Sequence, residues 1–415
     1  MRSQLRKSHV VLGIESSCDD TAVAIISSDR KVLASRIYSD KIVQRRLGGI
    51  SPKMSATVGR IVIDRLVDEC LDESNIRPSD LDAIAVTTKP GLLLSLKVGV
   101  DKALSMARRY YLDAIPIHHM RAHAIAPRLL DPTIEYPFLC LLISGGHSII
   151  ALVKGPDDFY ILGETQKKSP GECLDRIARE MGLPLKTHFA AALEELALKS
   201  SPEGYLRFHK LPHRMGSDFN FNNIMIHYFN IIHKSNLLSD DLPDLCASAQ
   251  FTVTAHLCKA LSLVFEYVEK EKIFLTTKKT LIVSGGVAAN KYIRGCITKV
   301  SEYYGFNTCF PPPKLCTDNA EMIAWLGLEL LETNSQCVIR AKDIPMNASM
   351  PPLRIEDRWP IGIDIRNELP QISEKRLKAS SIHGSTPLIF YFKPQEKDVE
   401  IESKTDEKSA SLIDC

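Results

Sequence analysis

The stretch IHHMRAH, residues 117–123, places two histidines four positions apart in an apolar setting. On a helix, positions i and i+4 lie on the same face, so His119 and His123 can direct their imidazoles at one point. Two imidazoles can bind a divalent metal ion if a third ligand completes the site. The same pair could equally be two core histidines. The motif is not HExxH, because no glutamate follows the first histidine, which disfavours a zincin-type protease.

A carboxylate from a distant part of the chain would complete such a site. Two histidines and one carboxylate form a ligand set with open positions, suited to iron or zinc. Asp318, in the stretch LCTDNAEM, is a candidate. It also stands at the start of a helical pattern at 318–332, where aspartate is a favoured N-cap. On the residue pattern alone, the capping role is the better interpretation.

Polar or glycine-rich turns follow three apolar strand patterns. They are Glu15–Ser16–Ser17, Ser144–Gly145–Gly146 and Ser284–Gly285–Gly286. Glycine lets backbone N–H groups approach an anion closely, and the helical pattern after the third turn adds a favourable dipole for phosphate. A single turn is equally typical of a tight hairpin, but the three together indicate a nucleotide-binding cleft. The sequence has neither a Walker lysine motif nor a Rossmann GxGxxG.

Composition indicates a soluble globular protein without a global basic field. The chain has 415 residues, a net charge of +2, 45% hydrophobic and 25% charged residues. Local basic pairs, such as Arg45–Arg46, Arg108–Arg109 and Lys167–Lys168, are typical of a solvated surface. The eleven cysteines form no CxxC motif, which disfavours a disulfide framework and suits a reducing compartment. The uncharged run 136–153 is interrupted by Pro137 and SGGH, so we interpret it as two strands and not as a membrane span.

The apolar patterns predict a duplicated α/β unit. A strand–turn–strand pattern followed by a third strand occurs twice, about 130 residues apart, at 10–26 with 31–38 and at 138–153 with 159–164. A strand, a Gly-Gly turn and a helix are predicted at 280–293. Helical periodicity is present at 61–71, 171–183, 244–270 and 318–332. The sequence therefore predicts a two-lobed α/β protein whose mixed sheets direct Gly-rich turns towards a cleft.

The domain organisation follows from these patterns and from the composition of the two ends. We assign a short presequence-like segment to 1–9, an N-terminal lobe to 10–125, a C-terminal lobe to 126–335, an extension that packs on the lobes to 336–393 and a disordered tail to 394–415.

The order of the motifs resembles one known family. VLGIESSCDDTAVAI, GGISP, KPGLLLSLKVG, HHMRAH, LLISGGHS, GECLDRIA, VSGGVAAN and LCTDNAEMIAW occur in the order seen in the tRNA N6-adenosine threonylcarbamoyltransferases. The resemblance covers about residues 9–330 and implies an actin-like ATPase (duplicated RNase H-like) fold. KPGL at 89–92, FPPPKLCTDN and LRIEDRWPIGIDI are similar to the mitochondrial branch. With the acid-free start MRSQLRKSH, they predict a mitochondrial location.

The resemblance implies a site and a reaction. It assigns one divalent cation per subunit, iron or zinc, to His119, His123 and Asp318, which reverses the capping preference for Asp318. Its substrate-binding residues correspond to Leu142, Ile143, Ser144, Gly145, Gly146, Asp175 and Asn290. The implied reaction transfers the threonylcarbamoyl group from threonylcarbamoyl-AMP to N6 of adenine 37 in tRNAs that read codons beginning with A. The implied assembly is a homodimer that does not need a membrane, and no general base is assigned.

The chain departs from the family pattern at several positions. Arg121 stands where glutamate is usual between the histidines, Gly59 where a histidine is expected, and Asn223 where a glycine is usual. The glycines of a PGGPAIE motif are missing from LKTHFAAALEE. These departures keep open a non-catalytic relative that still binds tRNA or nucleotide. A second alternative is a phosphotransferase or ATPase of the actin-like superfamily, whose phosphate-binding loops would look similar.

Overall fold

The computed structural model describes the backbone and side chains of most of the chain. The described residues are 8–39, 51–184, 189–210, 216–234, 238–345, 353–371 and 382, with the backbone of 375–377 and 390–392. Three features predicted from the sequence lie wholly or mostly outside them: the presequence-like segment, the Arg45–Arg46 pair and the C-terminal tail.

Strands and helices alternate along most of the described chain. In chain order the strands are β1 (Val10–Glu15), β2 (Thr21–Ser27), β3 (Lys31–Tyr38), β4 (Ala83–Lys89), β5 (Asp113–His118), β6 (Phe138–Ile143), β7 (Ser148–Val153), β8 (Phe159–Lys167), β9 (Phe219–Asn220), β10 (Thr280–Ser284), β11 (Asn307–Cys309), β12 (Ile363–Asp364), β13 (Lys375–Leu377) and β14 (Phe390–Phe392). The helices are α1 (Pro52–Ser74), α2 (Leu93–Tyr110), α3 (His119–Ile125), α4 (Pro127–Leu130), α5 (Pro170–Glu180), α6 (Phe189–Ala197), α7 (Gly204–Arg207), α8 (Phe221–Lys234), α9 (Leu242–Lys270), α10 (Lys291–Tyr303), α11 (Pro313–Cys316) and α12 (Ala320–Glu332).

The chain forms two compact units, and each unit is built from three separate segments of the sequence. Unit 1 comprises Met1–Tyr136, Val153–Phe159 and Pro311–Ile363, and unit 2 comprises Pro137–Leu152, Tyr160–Phe310 and Asp364–Cys415. The lobes predicted from the sequence are contiguous, so the units differ from them in the assignment of α12. This helix belongs to unit 1 because its small and apolar residues cover one face of the unit 1 sheet.

The unit 1 sheet has five strands in the order β3-β2-β1-β4-β5. The first three strands form an antiparallel meander, and β4 and β5 continue it in parallel with β1. Helices cover both faces of β1, which explains its continuous hydrophobic run. Leu12 and Ile14 share a core cluster with residues of α1 and α2. On the opposite face, a Cβ at Gly13 would lie 2.5 Å from the backbone nitrogen of Ala324, so only glycine permits this approach of α12.

The unit 2 sheet repeats the strand order of the first. Its order is β11-β10-β6-β7-β8-β12, with β9 paired to β8, and β10 is parallel to both β6 and β11. Reading from β8 to β11 gives the same connectivity as reading from β3 to β5. The predicted duplication of an α/β unit is therefore confirmed. The core of this unit is formed by α5–α10 and the sheet, with aromatic pairs such as Phe265–Phe306, stacked at 4.5 Å.

The long helix α9 is the main apolar element of unit 2. Among the described residues, one helical segment, Ser239–Lys270, is long and apolar enough to cross a membrane by composition. In its most apolar stretch of 18 residues, 89% is buried inside the protein. Such burial is typical of the core helix of a soluble domain. The sequence predicted this helix at 244–270 and the helices at 61–71 and 171–183. The first two lie within α9 and α1, and the third is confirmed as α5, which ends at Glu180.

Candidate metal centre

Two imidazoles at the start of helix α3 face each other. Strand β5 ends at His118 and α3 begins at His119, which brings His119 and His123 onto one helix face. Their Nε2 atoms are 3.2 Å apart, and their ring planes are nearly perpendicular at 88°. Two nitrogen lone pairs at this distance would repel each other, so the contact requires a proton or a cation between them.

The carboxylate of Asp318 completes the cluster. Its Oδ1 atom lies 3.2 Å from Nε2 of His123 and 3.4 Å from Nε2 of His119, and the ligand atoms of the three residues all lie within 4.8 Å of one another. The capping role suggested by the residue pattern is wrong. The side chain of Asn319 accepts the N–H of Met322 at 2.9 Å and caps α12 instead. The carboxylate of Asp318 is therefore directed at the histidines.

A buried acid fixes the orientation of the first histidine. Glu15 ends strand β1, and its side chain is 1% exposed. Its Oε2 lies 3.0 Å from Nδ1 of His119 and accepts the hydroxyl of Thr87 at 2.7 Å. Its Oε1 accepts the N–H of Ser17 at 2.6 Å. Because Nδ1 of His119 donates to this carboxylate, Nε2 is left as the ligand atom that faces the rest of the cluster.

The charges of the cluster favour a positive centre at this point. Burial alone would lower the pKa of His119, but the carboxylates of Glu15 and Asp318 raise it well above its ordinary value. Burial would raise the pKa of Asp318, but His119 and His123 hold it well below its ordinary value. A divalent cation supplies the same positive charge while its ligands are deprotonated.

The donor set fits a divalent cation. It consists of two imidazole nitrogens and one carboxylate oxygen, with an outer carboxylate on the first imidazole, which is a common support for metal-binding histidines. Three protein ligands leave positions free for water or substrate. The Nδ1 atom of His123 is buried and has no hydrogen-bond partner within the part of the chain that the structure describes. The three residues assigned by resemblance are thus brought together in unit 1.

Arg121 is engaged away from the two histidines that flank it. Its Nε donates to the carbonyl oxygen of Ile361 at 2.7 Å, and Nη1 donates to that of Asp157 at 3.1 Å. The guanidinium carbon lies 4.9 Å from the ring centroid of Phe159. Arginine at this position, where glutamate is usual, is therefore compatible with an intact cluster of His119, His123 and Asp318.

The glycine turn after strand β6 lies in unit 2. The hydroxyl of Ser144 accepts the N–H groups of Gly146 at 3.1 Å and of His147 at 3.0 Å. A Cβ added at Gly145 or Gly146 would contact nothing within 4 Å. Internal packing therefore does not require glycine at these two positions, whereas a ligand that approaches the backbone would.

The second glycine turn lies beside the first. Leu142 is the register partner of Ser284, because β6 and β10 are parallel neighbours. Gly285 has φ of +100°, and a Cβ there would lie 2.3 Å from the carbonyl oxygen of Ile143. Glycine is thus required by the fold at this position. The side chains of Leu142 and Ile143 are buried, so these two residues could reach a ligand only through their main-chain atoms.

Besides Ser144, two polar residues are assigned to substrate binding, and both have structural partners in unit 2. The carboxylate of Asp175 accepts the N–H of Ala190, in the first turn of α6, at 2.6 Å. Asn290 is the N-cap of α10 and accepts the N–H of Ile293 at 2.9 Å. Its amide donates to Oε1 of Gln250 at 3.1 Å. Any contact with a substrate would compete with these interactions.

One residue of the cluster was not identified as such from the sequence. Glu15 was grouped with Ser16 and Ser17 as a polar turn near phosphate, whereas the structure places its carboxylate on His119. The available signal was an acid at the end of a strand whose other residues are apolar. An acid at such a position is buried and needs a partner.

The repeated strand order of the two units corresponds to the predicted actin-like α/β fold. The solved structure of T. kodakarensis HypF is similar to this chain with a TM-score of 0.52, at 14% identity, over 79% of this chain and 48% of that chain. A full-length HypF in a phosphate- and nucleotide-bound form superposes with the same TM-score, at 11% identity, over 79% of this chain and 47% of that chain. These similarities support the predicted fold class.

Sequence comparison identifies the family. Residues 31–325 match the TsaD family, described as tRNA N6-adenosine threonylcarbamoyltransferase. A Caenorhabditis elegans relative, "Probable tRNA N6-adenosine threonylcarbamoyltransferase, mitochondrial", is 40% identical over 92% of this chain and 90% of its own length. The human relative, named as the mitochondrial enzyme, is 37% identical over 88% of this chain and 89% of its own length. The chain belongs to the tRNA N6-adenosine threonylcarbamoyltransferase family.

Proposed function

We propose that this chain transfers the threonylcarbamoyl group from threonylcarbamoyl-AMP to N6 of adenine 37 in mitochondrial tRNAs that read codons beginning with A. Family membership makes it a tRNA-modifying acyltransferase, and its named relatives are mitochondrial. The observation that carries the metal-dependent form of this proposal is the convergence of His119, His123 and Asp318, whose ligand atoms lie within 4.8 Å of one another.

One divalent cation per subunit, iron or zinc, would be held by these three side chains. Both metals accept imidazole nitrogen together with carboxylate oxygen. When bound, the cation supplies Lewis acidity to a carbonyl or phosphoryl oxygen of the donor. The protein's own contribution is to keep the ligand atoms in place. Glu15 does this for His119, and the start of α12 does it for Asp318.

The glycine turns are suited to the adenylate part of the donor. The N–H groups of Gly146 and His147 already converge on one oxygen, the hydroxyl of Ser144, and a phosphate oxygen could take that place. Asp175 and Asn290 would hydrogen-bond the ribose and adenine of the donor, in competition with their contacts with Ala190 and Gln250.

Positioning must supply much of the rate. The lone pair of adenine N6 is delocalised into the ring, so N6 is a weak nucleophile. The mixed anhydride compensates in part: the N6–C bond forms as the C–O bond to phosphate breaks, which releases AMP and a proton. Holding both reactants in a reactive geometry can contribute on the order of 7–11 kcal/mol. Adenine 37 lies in a single-stranded loop, where unstacking costs about a few kcal/mol. We propose a homodimer as the working assembly.

The experiment combines purified protein, threonylcarbamoyl-AMP and an unmodified tRNA, and detects the modified nucleoside by mass spectrometry. His119→Ala and Asp318→Asn should abolish product, and removal of metal by a chelator should do so reversibly. The matched controls are His233→Ala, whose side chain is 61% exposed on α8, and Asp64→Asn, whose side chain is 72% exposed on α1. Full activity in both cluster variants would overturn the metal assignment.

Two further measurements on the same protein, tRNA binding and ATP turnover, separate the two alternatives. A non-catalytic relative would bind tRNA without forming product, even with metal present. A phosphotransferase would turn over ATP in the absence of tRNA. Neither outcome is expected, because neither requires two histidines and a remote carboxylate at one point.

A further inference from the structure

A segment near the C-terminus crosses unit 1 beside the metal-binding helix. We name residues 353–362 the strap. Its start is held by the N–H of Glu356, which donates to the carbonyl oxygen of Thr88 at 3.0 Å. Further along, the carbonyl oxygen of Trp359 accepts Nε2–H of His118 at 3.1 Å, and the ring of Trp359 lies 4.2 Å from Nζ of Lys89. The strap therefore contacts the residue directly before α3.

Arg121 joins the strap to the first turn of α3. One guanidinium group donates to the carbonyl oxygen of Ile361 in the strap at 2.7 Å and to that of Asp157 at 3.1 Å, and its carbon lies 4.9 Å from the ring centroid of Phe159. The strap is tightly seated at this point, because a Cβ at Gly362 would lie 2.0 Å from the carbonyl oxygen of Phe159. Helix α3 is thus anchored at the residue before it and again within its first turn.

Helix α3 needs such anchors. It spans seven residues, His119–Ile125, and an isolated helix of this length is unstable in water. Both proposed histidine ligands lie on it, and their Nε2 atoms must stay close enough to share one cation. A shift of the first turn would move His119 relative to His123 and Asp318.

We propose that Arg121 is a positioning residue, which holds the first turn of α3 against the strap and so keeps the two histidines in register for metal binding. This inference rests on the metal site of the proposed function. The guanidinium of Arg121 donates to the carbonyl oxygens of Ile361 and Asp157, so we place its action on the backbone of the strap and the helix and not on the metal. The substitution of arginine for the usual glutamate then has a structural explanation, because a carboxylate could not donate to two carbonyl oxygens.

The test measures metal binding and does not depend on the enzymatic assay. Metal-free protein is titrated with Co²⁺, and the visible absorption of the bound ion reports both affinity and ligand geometry. Arg121→Ala should bind Co²⁺ about 10- to 100-fold more weakly than wild type, with an altered spectrum, as expected for loss of an outer support. Arg121→Glu should bind Co²⁺ at least as weakly as Arg121→Ala, since its carboxylate would face two carbonyl oxygens.

Arg121→Lys should have an intermediate affinity for Co²⁺, because its ammonium group can still donate to Ile361. Arg109→Ala, an exposed arginine on α2, is the matched control.

An independent variant perturbs the same contact from the strap. Gly362→Ala must displace the strap from Phe159, and it should weaken Co²⁺ binding in the same direction without any change in α3. It also provides the test if Arg121→Ala does not fold. Wild-type affinity and spectrum in Arg121→Ala, or in Gly362→Ala if Arg121→Ala does not fold, would overturn the inference.

The outcomes distinguish this inference from the proposed site itself. If wild type binds Co²⁺ and Asp318→Asn does not, the site stands, and the Arg121 and Gly362 variants then decide the inference. If wild type and Asp318→Asn bind Co²⁺ equally, the site assignment and the positioning role both fail.

Discussion

Nδ1 of His119 lies 3.0 Å from Oε2 of the buried Glu15, a contact between residues 104 positions apart. It joins the end of strand β1 to the start of helix α3, so the central strand of the unit 1 sheet orients a proposed metal ligand directly. The carboxylate has further partners in Ser17 and Thr87, which hold it in place. By binding Nδ1 of His119, the glutamate at the end of β1 leaves Nε2 as the nitrogen available to a metal.

Glu15→Gln should weaken metal binding with little change in fold. The amide preserves the shape of the side chain, but it can turn its NH₂ group towards Nδ1 of His119 and so favour the tautomer that protonates Nε2. Loss of an outer carboxylate typically costs about 10- to 100-fold in metal affinity. Calorimetric titration of metal-free protein with Zn²⁺ measures the change. Glu69→Gln, on the exposed side of α1 beside Arg36, should bind as wild type. Equal affinity of the two variants would contradict the role given to Glu15.

Much of the fold could be predicted because periodic burial leaves a regular pattern in the sequence. The two meanders, α9 and the Gly-Gly turn before α10 follow from apolar runs and glycine positions. The interleaving of the two units could not be predicted in this way. It depends on which sheet face accepts α12, and that is decided by Gly13 and Gly327, whose missing side chains let the helix approach β1 and β4. Local periodicity does not record such a tertiary fit.

The proposed metal ligands could be predicted from the sequence, whereas the residues that position them could not. Resemblance assigned His119, His123 and Asp318, and the structure brings their ligand atoms together. The residue pattern alone favoured a cap at Asp318, because Asp and Asn are both good N-caps and stand side by side before α12. The contacts of Glu15 and Arg121 join residues more than 100 and 200 positions apart, so no spacing in the sequence could indicate them.

Substitutions at Asp318 and Asn319, the two adjacent residues before α12, should distinguish metal binding from helix capping. Asn319→Ala removes the acceptor for the N–H of Met322 and should lower the free energy of unfolding by about 1 kcal/mol. Asp318→Asn leaves that cap in place and should lower metal affinity instead. Denaturant unfolding of the metal-free proteins, together with Zn²⁺ titration, measures both effects. If Asp318→Asn instead lowered the free energy of unfolding and left metal affinity unchanged, Asp318 would be the N-cap after all.

Acid should destabilise unit 2 through His209. Its Nδ1 atom lies 2.8 Å from the hydroxyl of Thr252, and burial followed by the charge of Lys259 lowers its pKa to about 4. The unfolded chain takes up a proton near pH 6.5, whereas the folded chain resists it until about pH 4. Stability is therefore lost as the pH falls through this window, by about 3 kcal/mol at most.

The contribution of His209 is isolated by comparison with a variant that cannot be protonated. His209→Gln retains a polar partner for Thr252, so its unfolding free energy should fall less than that of wild type between pH 6.5 and pH 4. Denaturant unfolding at pH 7, 5.5 and 4.5 measures the difference. His233→Gln, on the exposed side of α8, should follow wild type. Parallel pH profiles for wild type and His209→Gln would show that the imidazole is not responsible.

Alanine substitution at Gly146 and at Gly171, near the Ser144–Gly145–Gly146 turn, should affect different quantities: KM in the first case and stability in the second. A Cβ at Gly146 would contact nothing within 4 Å, so Gly146→Ala should leave the unfolding free energy unchanged. If the turn binds the donor phosphate, that same methyl group should raise KM for threonylcarbamoyl-AMP about tenfold, equivalent to about 1.4 kcal/mol. Gly171→Ala is the packing control, because its Cβ would lie 3.0 Å from the carbonyl oxygen of Ser144 and from Cα of Gly145. It should destabilise the protein by about 1–3 kcal/mol. An unchanged KM in stable Gly146→Ala would place the donor phosphate elsewhere.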